Sequence, residues 1–383
     1  MVQESFELRV AAIIEETSDA RSIVLEVPDN LRGRFSCQAG QFLTFEIPWE
    51  GWTISRCYSL SSAPGVDEEF RVTVKRVPHG RASNWIHDRL RVGDPIRVRP
   101  PEGRFVLSAD AGASDLTLFA AGSGITPVLS LIKAALATTE RRVLLVYANQ
   151  HADSIIFGGE LREIEARYPR RFMMRHHLDS EAGLPTVDGM RRVLAGREAG
   201  EFYVCGPAPF MEVVESALEQ ANVPLRHVHF ERFVSLADPD RRSVVAGVAR
   251  DAAVPEVVVI QLGGRKHTVP YVRGESLLAA ARRAGLRPAS SCEEGFCGSC
   301  LAQRERGDVA MRVHEALTVH EVAAGRVLLC QAYATSAEPV LVNCDATSFR
   351  IAGSRSPRAL PRALGVLVFL FVCTAIWILR STG

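Results

Sequence analysis

Cys292-Glu293-Glu294-Gly295-Phe296-Cys297-Gly298-Ser299-Cys300 sets three thiols on one short loop, with a fourth further along at Cys330. Thiolate sulfur is soft and polarizable and holds iron well, and Cys-x4-Cys-x2-Cys followed by a distant cysteine is the plant-type spacing for a [2Fe-2S] cluster. Backbone N–H groups can surround the cluster sulfides only if the intervening residues are small, and Gly295, Gly298 and Ser299 meet that demand. Structural zinc is the competing occupant of such thiolates, but the zinc of ribbons is held by paired Cys-x2-Cys units. No His-containing pair replaces the cysteines, which excludes a Rieske centre. The expected metal ligands are Cys292, Cys297, Cys300 and Cys330; Cys37, Cys344 and Cys373 have no ligand spacing and read as ordinary buried or lipid-facing thiols.

Around this loop, residues 256–262 and 266–271 straddle Gly263-Gly264 as a hairpin, residues 275–284 have a helical pattern, and residues 340–342 form a short strand after Pro339. Residues 255–348 are thus predicted to be an α+β domain. A polar, small-residue linker at 237–254 precedes it. Further upstream, residues 111–236 alternate apolar runs (116–121, 143–148, 172–176, 201–205) with helical stretches (127–137, 155–167, 209–221), the pattern of an α/β doubly wound parallel sheet. Residues 1–110 carry short β-like runs at 22–27, 41–47, 70–75 and 95–98 with one helix-like stretch at 83–91, which predicts a closed antiparallel β-barrel.

Two of these domains carry cofactor-like turns. Gly122-Ser123-Gly124-Ile125-Thr126-Pro127 directly follows the first strand of the parallel sheet, where Gly122 and Gly124 let the backbone approach a pyrophosphate, Thr126 is a candidate helix cap and Pro127 suits the first turn. Cys205-Gly206-Pro207 ends a later strand at the same carboxyl edge. In the barrel, Arg56-Cys57-Tyr58-Ser59-Leu60 places a cation and a ring on one strand face and a hydroxyl on the other. Val74-Lys75-Arg76 and Gly80-Arg81-Ala82-Ser83 then lead into the barrel's helix, whose N-terminus suits a diphosphate with Ser83 as cap.

Composition limits the function classes. A net charge of +1, with 47% hydrophobic and 23% charged residues, describes an ordinary globular protein without the field of a dedicated nucleic-acid binder. The first residues have neither a basic nor an apolar region, so no secretory signal is predicted and a reducing compartment is expected. Residues 363–379 (ALGVLVFLFVCTAIWIL) carry no charge between Arg362 and Arg380. At ~1.5 Å per residue they span about 25 Å, the lower limit for a transmembrane helix. A buried terminal helix is the competing reading. Arg350, Arg355, Arg358 and Arg362 precede this segment, and the charge bias then puts the catalytic domains in the cytoplasm. The expectation is a single-pass C-terminal anchor in the cell membrane at 363–380, after a linker at 349–362.

Taken together, RCYSL at 56–60, GRAS at 80–83, GSGITP at 122–127, CGP at 205–207 and the four cysteines resemble the ferredoxin–NADP reductase superfamily, in the order flavin barrel, nicotinamide domain, C-terminal plant-type ferredoxin of the β-grasp kind. The longer runs VKRVPHGRASNW and FAAGSGITPVLS are similar to reductase components of bacterial oxygenases, those of 3-ketosteroid 9α-hydroxylase and phenylacetyl-CoA epoxidase among them. The resemblance, which spans about residues 6–348, implies that Arg56 pairs with the flavin diphosphate, Tyr58 stacks on the ring, and Ser59, followed by Leu60, hydrogen-bonds near the reactive nitrogen. It implies further that Val74 and Lys75 border the ring, that Gly80, Ala82 and Ser83 form the diphosphate turn, and that Gly122, Gly124, Thr126, Cys205 and Gly206 receive the nicotinamide nucleotide. Ser59, Cys205 and Glu231 would stand near the reacting atoms. The family's flavin is usually FAD and occasionally FMN. Asp179 lies where NADP-specific relatives carry basic or hydroxyl groups, which favours NADH over NADPH.

Such parts imply a relay from NAD(P)H through flavin and cluster to an iron oxygenase, hydroxylase or desaturase. Two other readings compete with it. One is a membrane NADH:quinone-type reductase, whose comparable parts stand in the reverse order. The other is a membrane-anchored metal-binding sensor without enzyme activity, which would be colourless where a [2Fe-2S] flavoprotein is red-brown.

Overall fold

Phe6–Thr17 (β1) and Ala20–Glu26 (β2) pair antiparallel, and Leu8, Val10, Ile23 and Leu25 enter one core because successive side chains of a strand point to opposite faces. Phe42–Trp49 (β3), Trp52–Ser59 (β4), Phe70–Lys75 (β5) and, after the helix Arg81–Arg89 (α1), Pro95–Glu102 (β6) complete a six-stranded antiparallel sheet in the order β4-β3-β6-β1-β2-β5. Its two edges meet where Leu60 bridges Val72 and the Ser61 N–H donates to Arg71 O, which closes the expected barrel. His87 Nε2, 3.0 Å from Val74 O, ties α1 to β5.

The computed structural model describes residues 4–108, 114–233, 254–290, 293, 295, 297–314, 316, 317 and 319–347. Cys292, Cys373, the linkers at 237–253 and 349–362 and the apolar segment at 363–380 lie outside the described residues.

The second fold runs Leu116–Ala121 (β7), Ile125–Thr138 (α2), Val143–Asn149 (β8), Gly158–Arg167 (α3), Phe172–Leu178 (β9), Asp179–Ala182 (α4), Val187–Leu194 (α5), Glu201–Gly206 (β10), Ala208–Gln220 (α6) and Val228–Arg232 (β11). Its strands are all parallel in the order β11-β10-β7-β8-β9. Every residue of β7, β8 and β10 is buried because helices cover both faces. Leu118, Ala120, Leu145, Tyr147 and Tyr203 join the core of α2 and α3, whereas Phe119, Leu144, Val146, Phe202 and Val204 join that of α5 and α6. The helix expected from residue 155 starts at Gly158, since Ala152–Ser154 is a separate 3-10 turn and Phe157 takes a left-handed φ of 61°.

The third fold contains Val257–Leu262 (β12), Arg265–Pro270 (β13), Leu277–Arg283 (α7), Leu301–Arg306 (β14), Val309–Met311 (β15), Val319–Ala323 (α8), Arg326–Leu328 (β16), Ala332–Ala334 (β17) and Val340–Asn343 (β18). The expected hairpin turns at Gly263-Gly264, whose N–H groups both donate to the Asp345 carboxylate, at 2.7 and 2.8 Å. A mixed sheet in the order β13-β12-β18-β14-β16 packs Val258, Ile260, Leu301, Val340 and Val342 against Leu277, Leu278, Ala280 and Ala281 of α7. This is the α+β arrangement of the β-grasp. Among the described residues no helix is long and apolar enough to cross a membrane.

The chain as far as Asp345 forms one unit. The barrel and the parallel sheet share a core: α2 is buried from Ile125 to Leu136, enclosed by its own sheet and by Ala20, Ala39, Ala63 and Phe105 of the barrel side. Charges cross the same junction. Arg71 Nη2 of β5 lies 2.8 Å from Glu160 Oε2 of α3, and its guanidinium covers the Phe157 ring at 5.3 Å. Lys133 of α2 binds the other Glu160 oxygen and reaches Asp67 Oδ2 at 2.9 Å. Arg71 and Lys133 are both buried, so the carboxylates must replace the water they have lost. Glu160→Ala strands Arg71 and leaves Lys133 with Asp67 alone. It is expected to cost about 3 kcal/mol, read as a lower urea midpoint; an unchanged midpoint would show that the cluster contributes nothing to stability.

Candidate functional site

The carboxyl edge of the parallel sheet is built for close approach. Gly122–Gly124 forms a single 3-10 turn after β7, with Gly122 at a left-handed φ of 51°. A Cβ on Gly124 would stand 2.1 Å from Cys205 O, and one on Gly206 would stand 2.9 Å from the Ala121 and Phe210 side chains. The two turns therefore touch, and only glycine fits at these positions. Tyr147 OH, buried in the sheet, donates to Gly122 O at 3.1 Å and accepts the Ile156 N–H at 3.2 Å, which holds the first turn in place.

Thr126 does not cap α2. Gly124 occupies the cap position, and the buried Thr126 hydroxyl donates to Ser123 O at 3.0 Å, because the residue lies inside the first turn and its oxygen faces a carbonyl. Ser83 departs from expectation in the same way. Gly80 is the cap of α1, and Ser83 Oγ accepts the Val77 N–H at 3.1 Å while Asn84 Nδ2 donates to Gly80 O at 2.6 Å. Both helix starts thus present backbone N–H groups that no cap side chain covers, the arrangement an anionic phosphate needs.

Along β4, Arg56 Nη1 donates to Ser55 O at 2.8 Å and Tyr58 meets the Phe45 ring edge-on at 5.3 Å between centroids. Burial pushes the Tyr58 phenol well above its ordinary range. Ser59 and Leu60 are buried, and Ser59 Oγ has no hydrogen-bond partner among the described residues. Val74 is buried, Lys75 pairs with Asp19 at 3.4 Å, and Ala82 lies buried in α1. The β5 strand lies against the Gly122–Gly124 turn, so the barrel residues and the nucleotide-side glycines border one region.

Cys205 stands opposite Ala120 of β7 and Glu231 of β11. Its thiol is raised by burial and further by the Glu231 carboxylate. Burial pushes Glu231 up to about 8 against a weaker opposing pull from Arg104, and its Oε2 has no hydrogen-bond partner among the described residues. A buried acceptor or hydroxyl without a partner is costly unless a ligand supplies one, so Ser59 and Glu231 fit a bound flavin and nicotinamide between the two folds. Asp179 at the end of β9 shows the same feature: Oδ1 is buried, unbonded among the described residues, and 3.8 Å from His177 Nε2.

In the third fold, Cys300 and Cys330 are buried with their sulfurs 3.2 Å apart, and Cys297 Sγ lies 3.3 Å from Ser299 Oγ. Gly295 has a φ of 89°, and a Cβ there would stand 2.7 Å from Val313 O, which explains a glycine inside the cysteine loop. Two soft donors, Cys300 of the loop and Cys330, thus converge as an iron-sulfur cluster requires, although among the described residues no third ligand joins them. Cys37 and Cys344 are half-buried thiols, pushed up by desolvation to about 11 and about 12. Sequence reasoning did not single out Tyr147, Glu102 or Arg104. Tyr147 reads there as one more apolar strand residue, and Glu102 and Arg104 matter only through contacts with residues far along the chain.

Residues 7–107 match the oxidoreductase FAD-binding domain family, 118–216 the oxidoreductase NAD-binding domain and 260–335 the 2Fe-2S iron-sulfur cluster binding domain. The chain is 42% identical to the ferredoxin reductase component of 3-ketosteroid-9-alpha-monooxygenase from Rhodococcus rhodochrous, over 85% of this chain and 93% of the relative. It is 34% identical to a subunit of 1,2-phenylacetyl-CoA epoxidase from Escherichia coli, over 88% of this chain and 97% of that one. Among solved structures, phthalate dioxygenase reductase, described as a modular structure for electron transfer from pyridine nucleotides to [2Fe-2S], superimposes with a TM-score of 0.58 at 26% identity, over 88% of this chain and 98% of that chain. With all three domains matched in order and whole-length relatives of this kind, the chain belongs to the family of oxygenase reductase components built from an FAD-binding, an NAD-binding and a 2Fe-2S domain.

Proposed function

We propose that this reductase takes its electrons from NADH, is tethered to the cell membrane by residues 363–380 with its catalytic domains in the cytoplasm, and serves an iron oxygenase, hydroxylase or desaturase. The observation that carries the catalytic part is the pair of buried polar atoms without a hydrogen-bond partner among the described residues, Ser59 Oγ in the barrel and Glu231 Oε2 in the nucleotide fold. A flavin bound there supplies the conversion between the two-electron hydride of a nicotinamide and the single electrons that a [2Fe-2S] cluster accepts. Arg56 and the turn from Gly80 through Ala82 to Ser83 hold the flavin diphosphate, Tyr58 stacks on the ring, Ser59 and Leu60 follow it along the chain, and Val74 and Lys75 border the ring. Gly122, Gly124, Thr126 and Gly206 leave room for the nicotinamide phosphates. At neutral pH Glu231 keeps its proton, and Cys205 stays a neutral thiol. Neither then places a negative charge where hydride must pass. Cys292, Cys297, Cys300 and Cys330 hold the cluster.

Asp179 supports NADH: a buried carboxylate oxygen with no hydrogen-bond partner among the described residues suits a ribose hydroxyl and would repel a phosphate. The 3-ketosteroid and phenylacetyl-CoA relatives serve monooxygenase and epoxidase systems, which supports an oxygenase as acceptor. For the tether, the support is the uncharged run at 363–379 behind an arginine-rich approach.

Anaerobic titration with NADH should bleach flavin and cluster absorbance together and raise a reduced-cluster electron paramagnetic signal in the wild type, whereas Cys297→Ser should bleach the flavin alone. Loss of neither band in the wild type would overturn the relay. Truncation after Arg362 should move the protein from the membrane to the soluble fraction, and retention in the membrane would refute the tether.

Glu231 adds a pH dependence. Its folded value of about 8 lies above its ordinary value of 4.5, so its stabilising contribution is complete below pH 4.5 and is lost as pH rises through about 8. The melting temperature of Glu231→Gln relative to wild type should therefore climb between pH 5 and 8; parallel curves would show that the carboxyl ionises normally.

A further inference from the structure

Four residues at the end of β6 touch all three folds. Ser299 Oγ, on the cysteine loop, donates to Glu102 Oε2 at 3.0 Å across a sequence separation of 197 residues. The same Ser299 lies 3.3 Å from Cys297 Sγ. Gly103, at a φ of 124°, turns the chain against the barrel, where a Cβ would stand 3.1 Å from the Phe42 ring. Arg104 lays its guanidinium on the loop, so that a Cβ on Gly298 would stand 3.3 Å from Nη2. That cation also opposes the raised value of Glu231 in the nucleotide fold. Phe105, buried, meets the Tyr203 ring edge-on at 5.4 Å, and Tyr203 OH donates to Val106 O at 3.1 Å.

We infer that Glu102-Gly103-Arg104-Phe105 is a clamp that seats the cysteine loop against the flavin barrel, and that Glu102, acting through Ser299, is a positioning residue for electron transfer into the cluster. The clamp is anchored on both sides. Gly103 and Phe105 are fixed by packing in the barrel and the nucleotide fold, and the side chains between and beside them, Arg104 and Glu102, point out to the loop. Gly298 carries no side chain where Arg104 lies, and Ser299 supplies the hydroxyl that Glu102 needs. The Ser299 to Glu102 bond is polar, so it can help hold the loop at a set position without the apolar area of a permanent core. No bond forms or breaks in the clamp; it contributes orientation, to which transfer rates are sensitive. The inference rests on the relay under Proposed function.

The test uses the holoenzyme with cluster content checked by its paramagnetic signal. In single-turnover mixing with NADH, Glu102→Ala should bleach the flavin at the wild-type rate and the cluster about tenfold more slowly or worse. Glu102→Gln keeps an acceptor for the Ser299 hydroxyl and should restore the cluster rate. Amide hydrogen exchange at residues 297–301 should quicken in Glu102→Ala and not in Glu102→Gln, a readout that holds whether or not electrons flow. Unchanged exchange and an unchanged cluster rate in Glu102→Ala would overturn the clamp. Equal slowing of both bands would also overturn it, because the defect would then lie before the cluster. If the wild type itself failed to bleach its cluster while exchange still responded to Glu102→Ala, the relay reading would fall and the clamp would stand as a structural contact.

Discussion

Enclosure of α2 is the constraint from which the rest of the catalytic geometry follows. A helix buried along nearly its whole length cannot roll or slide without opening a cavity in either the sheet or the barrel side. Its first residue directly follows the Gly122–Gly124 turn, so fixing the helix fixes that turn, and with it the place where a nucleotide phosphate can rest. The same packing brings the turn against β5, the strand expected to border the flavin. Two cofactors on two folds need a defined separation for hydride transfer, and shared burial supplies it more rigidly than a linker could. The Arg71, Glu160, Lys133 and Asp67 cluster gives this seam direction, since buried charges tolerate only the register in which each finds its partner.

Much of this was legible in the sequence, for a physical reason. Strands buried on both faces, such as β7 and β8, must be apolar throughout, and barrel strands facing one core must alternate; both patterns are local. The cysteine spacing is equally local, because three ligands on one loop have to be near in sequence. Helix capping was read wrongly at Ser83 and Thr126, where general preference puts a hydroxyl at the cap. Gly80 and Gly124 hold those positions instead. A capping side chain would occupy the N–H groups that the site leaves open, so the exception follows from the chemistry of the site. The left-handed Phe157 and the hydroxyl of Tyr147 were not legible, since each depends on what the fold brings beside it.

Charge at the proposed reacting centre is governed by exclusion of water more than by partners. Tyr58, Cys205 and Glu231 are all pushed toward their neutral forms by burial. A region of this kind admits a neutral nicotinamide and a flavin ring readily and penalises any uncompensated charge. Positive charge stands at its margin, at Arg56 and Arg104, where a diphosphate or a docked loop can meet it. Neutral interior and cationic rim together favour ligands that are flat and uncharged at one end and anionic at the other, which describes a flavin nucleotide and the reduced form of a nicotinamide nucleotide.

The third fold poses a different physical problem from the first two. Its core is self-contained, built from β12, β14, β18 and α7, and among the described residues it shares no apolar cluster with the barrel or the parallel sheet. A domain with its own core keeps its own stability, and polar contacts such as Ser299 to Glu102 help to set its position. Polar attachment has a functional logic in a relay. The cluster has to stand close to its electron donor and yet be approachable by a separate acceptor protein, and polar contacts such as Ser299 to Glu102 open at smaller cost than a buried apolar junction. The division of labour is therefore written in the kind of contact: charge and packing deep between the barrel and the parallel sheet, and polar contacts of the Ser299 to Glu102 kind at the fold that must meet two partners in turn.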